Sequence, residues 1–397
     1  MKISLFFHDA ALSHSQYLLE AFATNPSISH LTVIYPEGRG QDAIFSAGSD
    51  SKIAAFNGFE MIGVRSSRLR TKWGNFFDLY QVIASQKPDY VIVLDEAYSI
   101  NALMIGLTVK LCGLKIPVVC YGFENIHQSP PLKWFCQDPL KRLWPFIRKT
   151  LRYLLIDQLL QPIRRRVIHG ALVSYSECTQ VIKRAGWNLP TKDQWWGVNV
   201  NLFKAHAKVL ERKVVEEPKV IAYVGRFVTE KGILDLVKAL PLLPKSHSLL
   251  LIGAGPDEQL IRQNAIQLGL ESRLQIFPPM GLGQLALQLQ GIDVLALPSH
   301  TEAFWKEQYG RVLVEAMAAG IPVIGSRSGA IPYVIGDDLC TFEEGDLEAI
   351  CRAVTVALSM NADQRQQLQI RAEQGSAQRF VQAYIDFYHQ LSPSLGS

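Results

Sequence analysis

The chain has 397 residues, 48% of them apolar and 19% charged, with a formal net charge of +4. That length supplies two to three domains with their own cores, and the composition is that of a globular protein, not a disordered or fibrous one. Cys112, Cys120, Cys136, Cys178, Cys340 and Cys351 are scattered without a CxxC pair or zinc spacing. This excludes a disulfide framework and a zinc site, and fits reduced core thiols of a cytosolic protein.

The first run, Met1 to Phe7, meets His8 and Asp9 too soon for the core of a signal peptide, and reads as a buried strand. Further strands are expected at Leu31–Tyr35, Met61–Val64, Tyr90–Leu94, Val118–Tyr121 and Ala171–Ser174. In the second half they are expected at Val220–Val224, Leu249–Ile252, Leu274–Phe277, Val294–Leu297 and Pro322–Gly325. Short continuous apolar strands alternating with helical patterns indicate parallel sheets covered on both faces. Two such sets predict α/β architecture with two doubly wound Rossmann-like domains facing each other across a cleft, the default site for a ligand. The expected boundaries are 1–203 for the first domain, 204–219 for a polar linker and 220–375 for the second domain. Residues 376–397 read as an amphipathic helix that closes the fold by packing back on the first domain. No stretch of about 20 residues lacks charge, so no membrane-spanning helix is expected. The most apolar candidate, 100–120, is broken by Lys110 and Lys115.

The charge is uneven. Between Lys133 and His169 nine basic residues face two acidic ones, so this segment carries +7 and the other 360 residues carry −3. Trp134, Phe135, Trp144, Phe146 and Tyr153 interleave with the cations. Two readings stay open: an anionic membrane surface met peripherally from the cytoplasmic side, or a solvated helix whose Arg stems cover the core. No nucleic-acid motif accompanies the stripe, and no nucleic-acid partner is expected.

The most informative run is Glu307-Gln308-Tyr309-Gly310-Arg311-Val312-Leu313-Val314-Glu315-Ala316-Met317. A helix here has almost no polar face, yet it keeps Glu315, and a carboxylate is costly to bury unless a partner meets it. Glu307 is expected two turns up the same helix, near its Tyr-Gly entrance. Two carboxylates at a helix mouth, with Gly310 permitting close backbone approach, suit a polyhydroxylated ligand that carries phosphates. Upstream, the strand ending in Gly225 is followed by Arg226 and Lys231, one a planar fork and the other a point charge for phosphate oxygens. Ile252-Gly253-Ala254-Gly255-Pro256 follows the next strand but lacks the third glycine of the dinucleotide fingerprint. Then come Asp293-Val294-Leu295-Ala296-Leu297-Pro298-Ser299 and Ile321-Pro322-Val323-Ile324-Gly325-Ser326.

Taken in order, these motifs resemble the retaining GT-B glycosyltransferases related to glycogen synthase, the family 4 group. The resemblance is dense from Tyr223 to Gly336, and Gly197-Val198-Asn199-Val200-Asn201-Leu202-Phe203 is similar to the run that ends the family's first domain. It implies a transferase moving a sugar from a nucleotide diphosphate to a saccharide or lipid-linked acceptor, with retention of configuration. Arg226 and Lys231 would neutralise the diphosphate, and Glu307 would hold hydroxyls of the transferred sugar. Glu315 would take the ribose, and backbone amides from Tyr309 through Gly310 and Arg311 to Val312 would cradle sugar and phosphate, with Gly225 and Gly253 lining the site. No metal or other cofactor is implied, and no Asp-x-Asp is present to hold one. The first domain departs from the family pattern, which leaves His8, His14, Glu124 and His127 as candidates on the acceptor side, Glu124 first among them as a polar group that binds the acceptor or serves as a base, with a structural role as the alternative. Another GT-B activity, such as an epimerase or phosphorylase, and a non-catalytic sugar- or lipid-binding relative stay open as alternatives.

Overall fold

The computed structural model describes residues 1–10, 12, 15–37, 58–65, 76–126, 147, 159–206, 218–303 and 305–394. The chain forms two compact units: 1–46 with 50–195 and 380–397, and 47–49 with 196–379.

The first unit is built on a seven-stranded sheet in the order β3-β2-β1-β4-β5-β6-β7. The strands are β1 (Lys2–Phe6), β2 (His30–Glu37), β3 (Glu60–Arg65), β4 (Tyr90–Val93), β5 (Val118–Gly122), β6 (Gly170–Val173) and β7 (Thr191–Asp193). All neighbouring pairs are parallel. Every residue of β4, β5 and β6 is buried, as the uninterrupted apolar runs require of strands covered on both faces. The second unit holds a six-stranded sheet in the order β10-β9-β8-β11-β12-β13, again wholly parallel. Its strands are β8 (Val220–Val224), β9 (Ser248–Ile252), β10 (Leu274–Phe277), β11 (Val294–Leu297), β12 (Val323–Ser326) and β13 (Thr341–Phe342). Both units are doubly wound Rossmann-like domains. The edge strands β7 and β13, of three and two residues, were not legible as strands because they are too short to show a period.

The first unit ends earlier in sequence than residue 203. Gly197 to Phe203 groups with the second unit, and backbone pairing explains why. Val198 N–H donates to Gly375 O at 2.7 Å, and Ala377 N–H donates to Val198 O at 3.0 Å. Asn199 then caps the helix Val200–Ala205 through Leu202 N–H, and Lys204 pairs with Glu373. Most of the expected linker, 207–217, lies outside the described residues.

From Phe380 onward the helix Ala377–Leu391 belongs to the first unit. Its aromatic face meets the sheet and the helix Gln16–Ala23: Phe380 lies 5.2 Å from Tyr121, Tyr384 6.1 Å from Phe22 and Tyr388 5.2 Å from Tyr90 between ring centroids. Each ring buries a large apolar area, and the tilted geometries suit the ring quadrupoles. Phe387 also fills the space above Gly170, where a Cβ would fall 2.6 Å from its ring.

Of the basic segment, 133–146 and 148–158 lie outside the described residues. Within the rest, Arg164 ends the short helix Gln161–Arg164 at 1% exposure, so this cation is not available to a membrane or to solvent. Arg165 bonds to the Gly186 carbonyl, and Arg166 is exposed. Among the described residues no helix is long and apolar enough to cross a membrane. The five described cysteines are unbridged, and burial pushes every one of their thiols up, Cys178 and Cys340 to about 12.

Candidate active site

In each sheet the winding reverses once, between β1 and β4 in the first unit and between β8 and β11 in the second. Ligands of open parallel sheets lie beyond the strand carboxyl ends at such a reversal. The described residues singled out from the sequence follow β1 and β5 in the first unit and β8, β9 and β11 in the second.

In the second unit β8 runs into Gly225 and Arg226. The Tyr223 hydroxyl donates to Arg226 O at 2.8 Å and fixes the turn. Burial above all, and then the Glu307 charge, push this phenol up, so it stays a donor. Gly253, after β9, packs against the same turn: a Cβ there would sit 1.9 Å from Gly225 O. Only glycine allows the two loops to lie so close. Arg226 stays half-exposed, with Glu230 Oε1 4.0 Å away.

Lys231 ends the short turn Thr229–Lys231. Its Nζ donates to Glu307 Oε2 at 2.7 Å, and the Trp305 ring centroid lies 4.7 Å from it. Ser299, just past β11, donates to the same carboxylate oxygen at 2.7 Å. The pair is nearly dry, with side chains 15% and 9% exposed, so water screens it little and the aromatic face adds to the hold on the cation. His300 ties the two strand ends together, accepting no part in the pair itself: its N–H donates to Glu230 O at 2.8 Å and its ring meets Asp235 at 2.5 Å.

The helix begins later than the sequence pattern predicts. It spans Arg311–Ala318, with Gly310 at φ +79° as its cap, so Glu307 stands in the loop ahead of it and not on the helix. A left-handed cap at 310 favours glycine, and a side chain there would press on Leu297 at 2.9 Å. Leu313 to Ala318 are all buried, Glu315 among them at 3% exposure. Glu315 Oε1 lies 3.2 Å from Arg311 Nε. Burial pushes its carboxyl up from the ordinary range and Arg311 partly offsets that. Arg311 and Val312 open the helix, one exposed and one half-buried. The Tyr309 side chain is buried and donates to Trp196 O at 3.2 Å, a structural contact within the unit.

In the first unit His8 follows β1, its Nε2 3.4 Å from Asp9 Oδ2. Glu124 follows β5 and is half-buried; Tyr98 donates to its Oε2 at 2.5 Å. His14 and His127 lie outside the described residues. A carboxyl that the sequence reading passed over stands beside Glu124. Glu96 follows β4, is 5% exposed, and accepts the backbone N–H groups of Phe123 and Glu124 at 2.7 Å each. Burial first, then the Glu124 charge, push it up to about 8 against those two hydrogen bonds. Ser299, His300 and Trp305 were also missed as site residues. None carries a spacing signal, since each depends on the loop after β11 folding back on Lys231.

Two such units, each a parallel sheet with helices on both faces, make this a GT-B fold, the architecture of the glycosyltransferases to which it is structurally similar. Residues 208–375, nearly the whole second unit, match the family model described as Glycosyl transferases group 1. D-inositol 3-phosphate glycosyltransferase of Mycobacteroides abscessus is 32% identical over 148 residues, 36% of this chain and 32% of that protein. The enzyme of that name from Mycobacterium marinum is 30% identical over 195 residues, 46% of this chain and 40% of that protein. The matched region is therefore well under half the length of these curated relatives. Among solved structures, HepE of Anabaena with UDP aligns at TM-score 0.68 and 16% identity, covering 98% of this chain and 100% of that one. HepE with UDP-glucose aligns at 0.62 and 16% identity, covering 100% and 99%. The lipopolysaccharide outer core galactosyltransferase WaaB aligns at 0.67 and 16% identity, covering 97% and 98%.

Proposed function

We propose that this protein transfers a hexosyl group from a nucleotide diphosphate sugar to a saccharide or lipid-linked acceptor with retention of configuration, in the synthesis of a cell-surface polysaccharide or glycoconjugate. The observation that carries this reading is the dry Lys231–Glu307–Ser299 cluster at the β8/β11 reversal, beside a glycine-capped helix start, within the segment that matches the glycosyltransferase family. Breaking the bond from the anomeric carbon to the phosphate oxygen leaves positive charge on the sugar and negative charge on the diphosphate. Lys231, Arg226 and the first N–H groups of the Arg311–Ala318 helix oppose the second of these, and fixed donors of this kind each contribute about 3 kcal/mol. Glu307 would leave Lys231 for the sugar hydroxyls as the diphosphate takes its place. The acceptor oxygen then bonds the anomeric carbon from the face the phosphate leaves, and its proton passes to the departing phosphate oxygen. No metal is needed where two cations stand at the phosphate. The basic segment 133–169, through cations other than Arg164, would bring the protein to an anionic membrane surface.

The nucleotide bound to HepE makes UDP-sugars the first donors to test. A thermal-shift panel of nucleotide sugars, followed by slow donor hydrolysis that Glu307→Ala abolishes, is the expected result. A folded protein that neither shifts with nor hydrolyses any donor rejects the proposal, and release of an epimerised sugar assigns the fold to another activity. The anomeric proton coupling of the product decides retention. Glu315→Gln is expected to weaken nucleotide binding by about 1–3 kcal/mol in calorimetry, since the amide keeps the volume and loses the charge-assisted bonds to ribose. Unchanged affinity would make this carboxyl purely structural.

A further inference from the structure

We propose that Glu96 is a positioning residue that fixes the Phe123–Asn125 segment and through it presents Glu124 to hydroxyl groups of the acceptor. The inference rests on the transfer reading for the identity of the ligand, but the anchoring itself rests on geometry alone. Glu96 stands past β4, beside the point where the first sheet reverses. It is too deep to meet a substrate, at 5% exposure, whereas Glu124 is half-buried. One oxygen, Oε1, takes two consecutive backbone N–H groups, those of Phe123 and Glu124, at 2.7 Å. The next residue, Asn125, donates to the Tyr175 hydroxyl at 2.7 Å, and Tyr175 donates to Glu177 at 3.1 Å. The Glu124 side chain is held by Tyr98, two residues beyond Glu96. Three successive residues are thus pinned by their main chain or side chains, and the turn after β4 supplies three of the four bonds. Gly122 leaves the room for this: a Cβ there would lie 3.1 Å from Glu96 Oε2.

The groups facing Glu96 are Asp95 and Tyr98 on its own turn, Cys120 on β5, Glu124 after β5 and Cys178 on the helix Ser176–Arg184. None of these is cationic. Two ionised carboxylates sharing such a pocket repel, and one of them takes a proton. Burial selects Glu96, which holds its proton up to about pH 8. While it does, Oε1 remains an acceptor for both N–H groups and Glu96 adds no charge behind Glu124, to which an acceptor hydroxyl can donate. Ionisation of Glu96 makes Oε1 a stronger acceptor for the two N–H groups but puts a second charge behind Glu124, and the repulsion turns the Glu124 side chain away from the acceptor.

The test reads the full chain in two ways. In protein labelled with 15N-phenylalanine, the Phe123 amide resonance, assigned with Phe123→Leu, is expected to move with a midpoint near pH 8 in the native chain and to stay still in Glu96→Gln. An amide that does not titrate, or that titrates alike in both, overturns the inference whether or not any sugar is transferred. With UDP-glucose as donor and methyl hexosides as acceptor probes, the native rate is expected to fall about tenfold from pH 7 to pH 9, one unit past the midpoint. In Glu96→Gln the ratio of the two rates returns toward one, with the difference in the acceptor KM or kcat and not in the donor KM. An identical ratio in both proteins overturns the positioning role. An amide that titrates in a protein that turns over no nucleotide sugar supports the anchor and counts against the transfer reading alone.

Discussion

Lys231→Ala is expected to lower transfer turnover by about 100-fold or more, and to do so for two separable reasons. The first is the loss of a cation at the diphosphate, where charge develops only as the glycosidic bond breaks. The second is what remains behind. Glu307 is 9% exposed at its side chain and has Lys231 as counter-ion at 2.7 Å. Removing one member of a dry pair leaves the other charge uncompensated, a cost of about 3–5 kcal/mol in stability. The two effects are told apart by Lys231→Met combined with Glu307→Gln, which removes both charges while keeping volume. The double variant is expected to regain most of the melting temperature and none of the turnover. A Lys231→Ala protein with near-normal rates would take this residue out of the phosphate site.

Glu96→Gln is expected to change how stability depends on pH. The folded carboxyl titrates near 8, against 4.5 when unfolded. Below 4.5 both states hold the proton, so the group is neutral toward folding. Between 4.5 and about 8 the native state keeps a proton that the unfolded state has lost. Each pH unit across that window therefore costs about 1.4 kcal/mol of stability, and above it the loss is complete and flat. Native protein and Glu96→Gln compared by urea denaturation at pH 5 and pH 8 isolate the contribution, with the variant gaining on the native chain as pH rises. A constant difference between them would mean that Glu96 is ionised throughout.

The strands of both sheets could be read from the sequence because a buried parallel strand needs a continuous apolar run, and Tyr90–Val93, Val220–Val224 and Val294–Leu297 each consist of one. The donor cluster was legible in part for a related reason. A strand tip followed by glycine and cations, as at Gly225, Arg226 and Lys231, has few other uses. Its wiring was not legible. That Glu307 lies in a loop under Lys231, and not on the helix, goes with Pro298 and His300 closing against Gly232, a contact between segments more than 60 residues apart. A Cβ at Gly232 would lie 2.0 Å from Pro298 O. Arg164 shows the reverse error: a residue within a basic run reads as solvated, yet local packing buries it. Glu96 escaped notice because a lone glutamate after a strand has no pattern, and its character comes from burial and then from Glu124, 28 residues on, which no local window includes.

The helix that carries Phe380, Tyr384 and Phe387 sets an order of assembly during synthesis. The sheet it covers is made of strands that leave the ribosome before those of the other unit, but their aromatic cover is translated after the whole of that unit. Domains commonly fold in the order they emerge. Here the later half completes its core first, while Tyr90, Tyr121 and Gly170 wait for side chains still to be made. Released chains that end at residue 379 should accordingly leave the early half open to protease and the late half resistant.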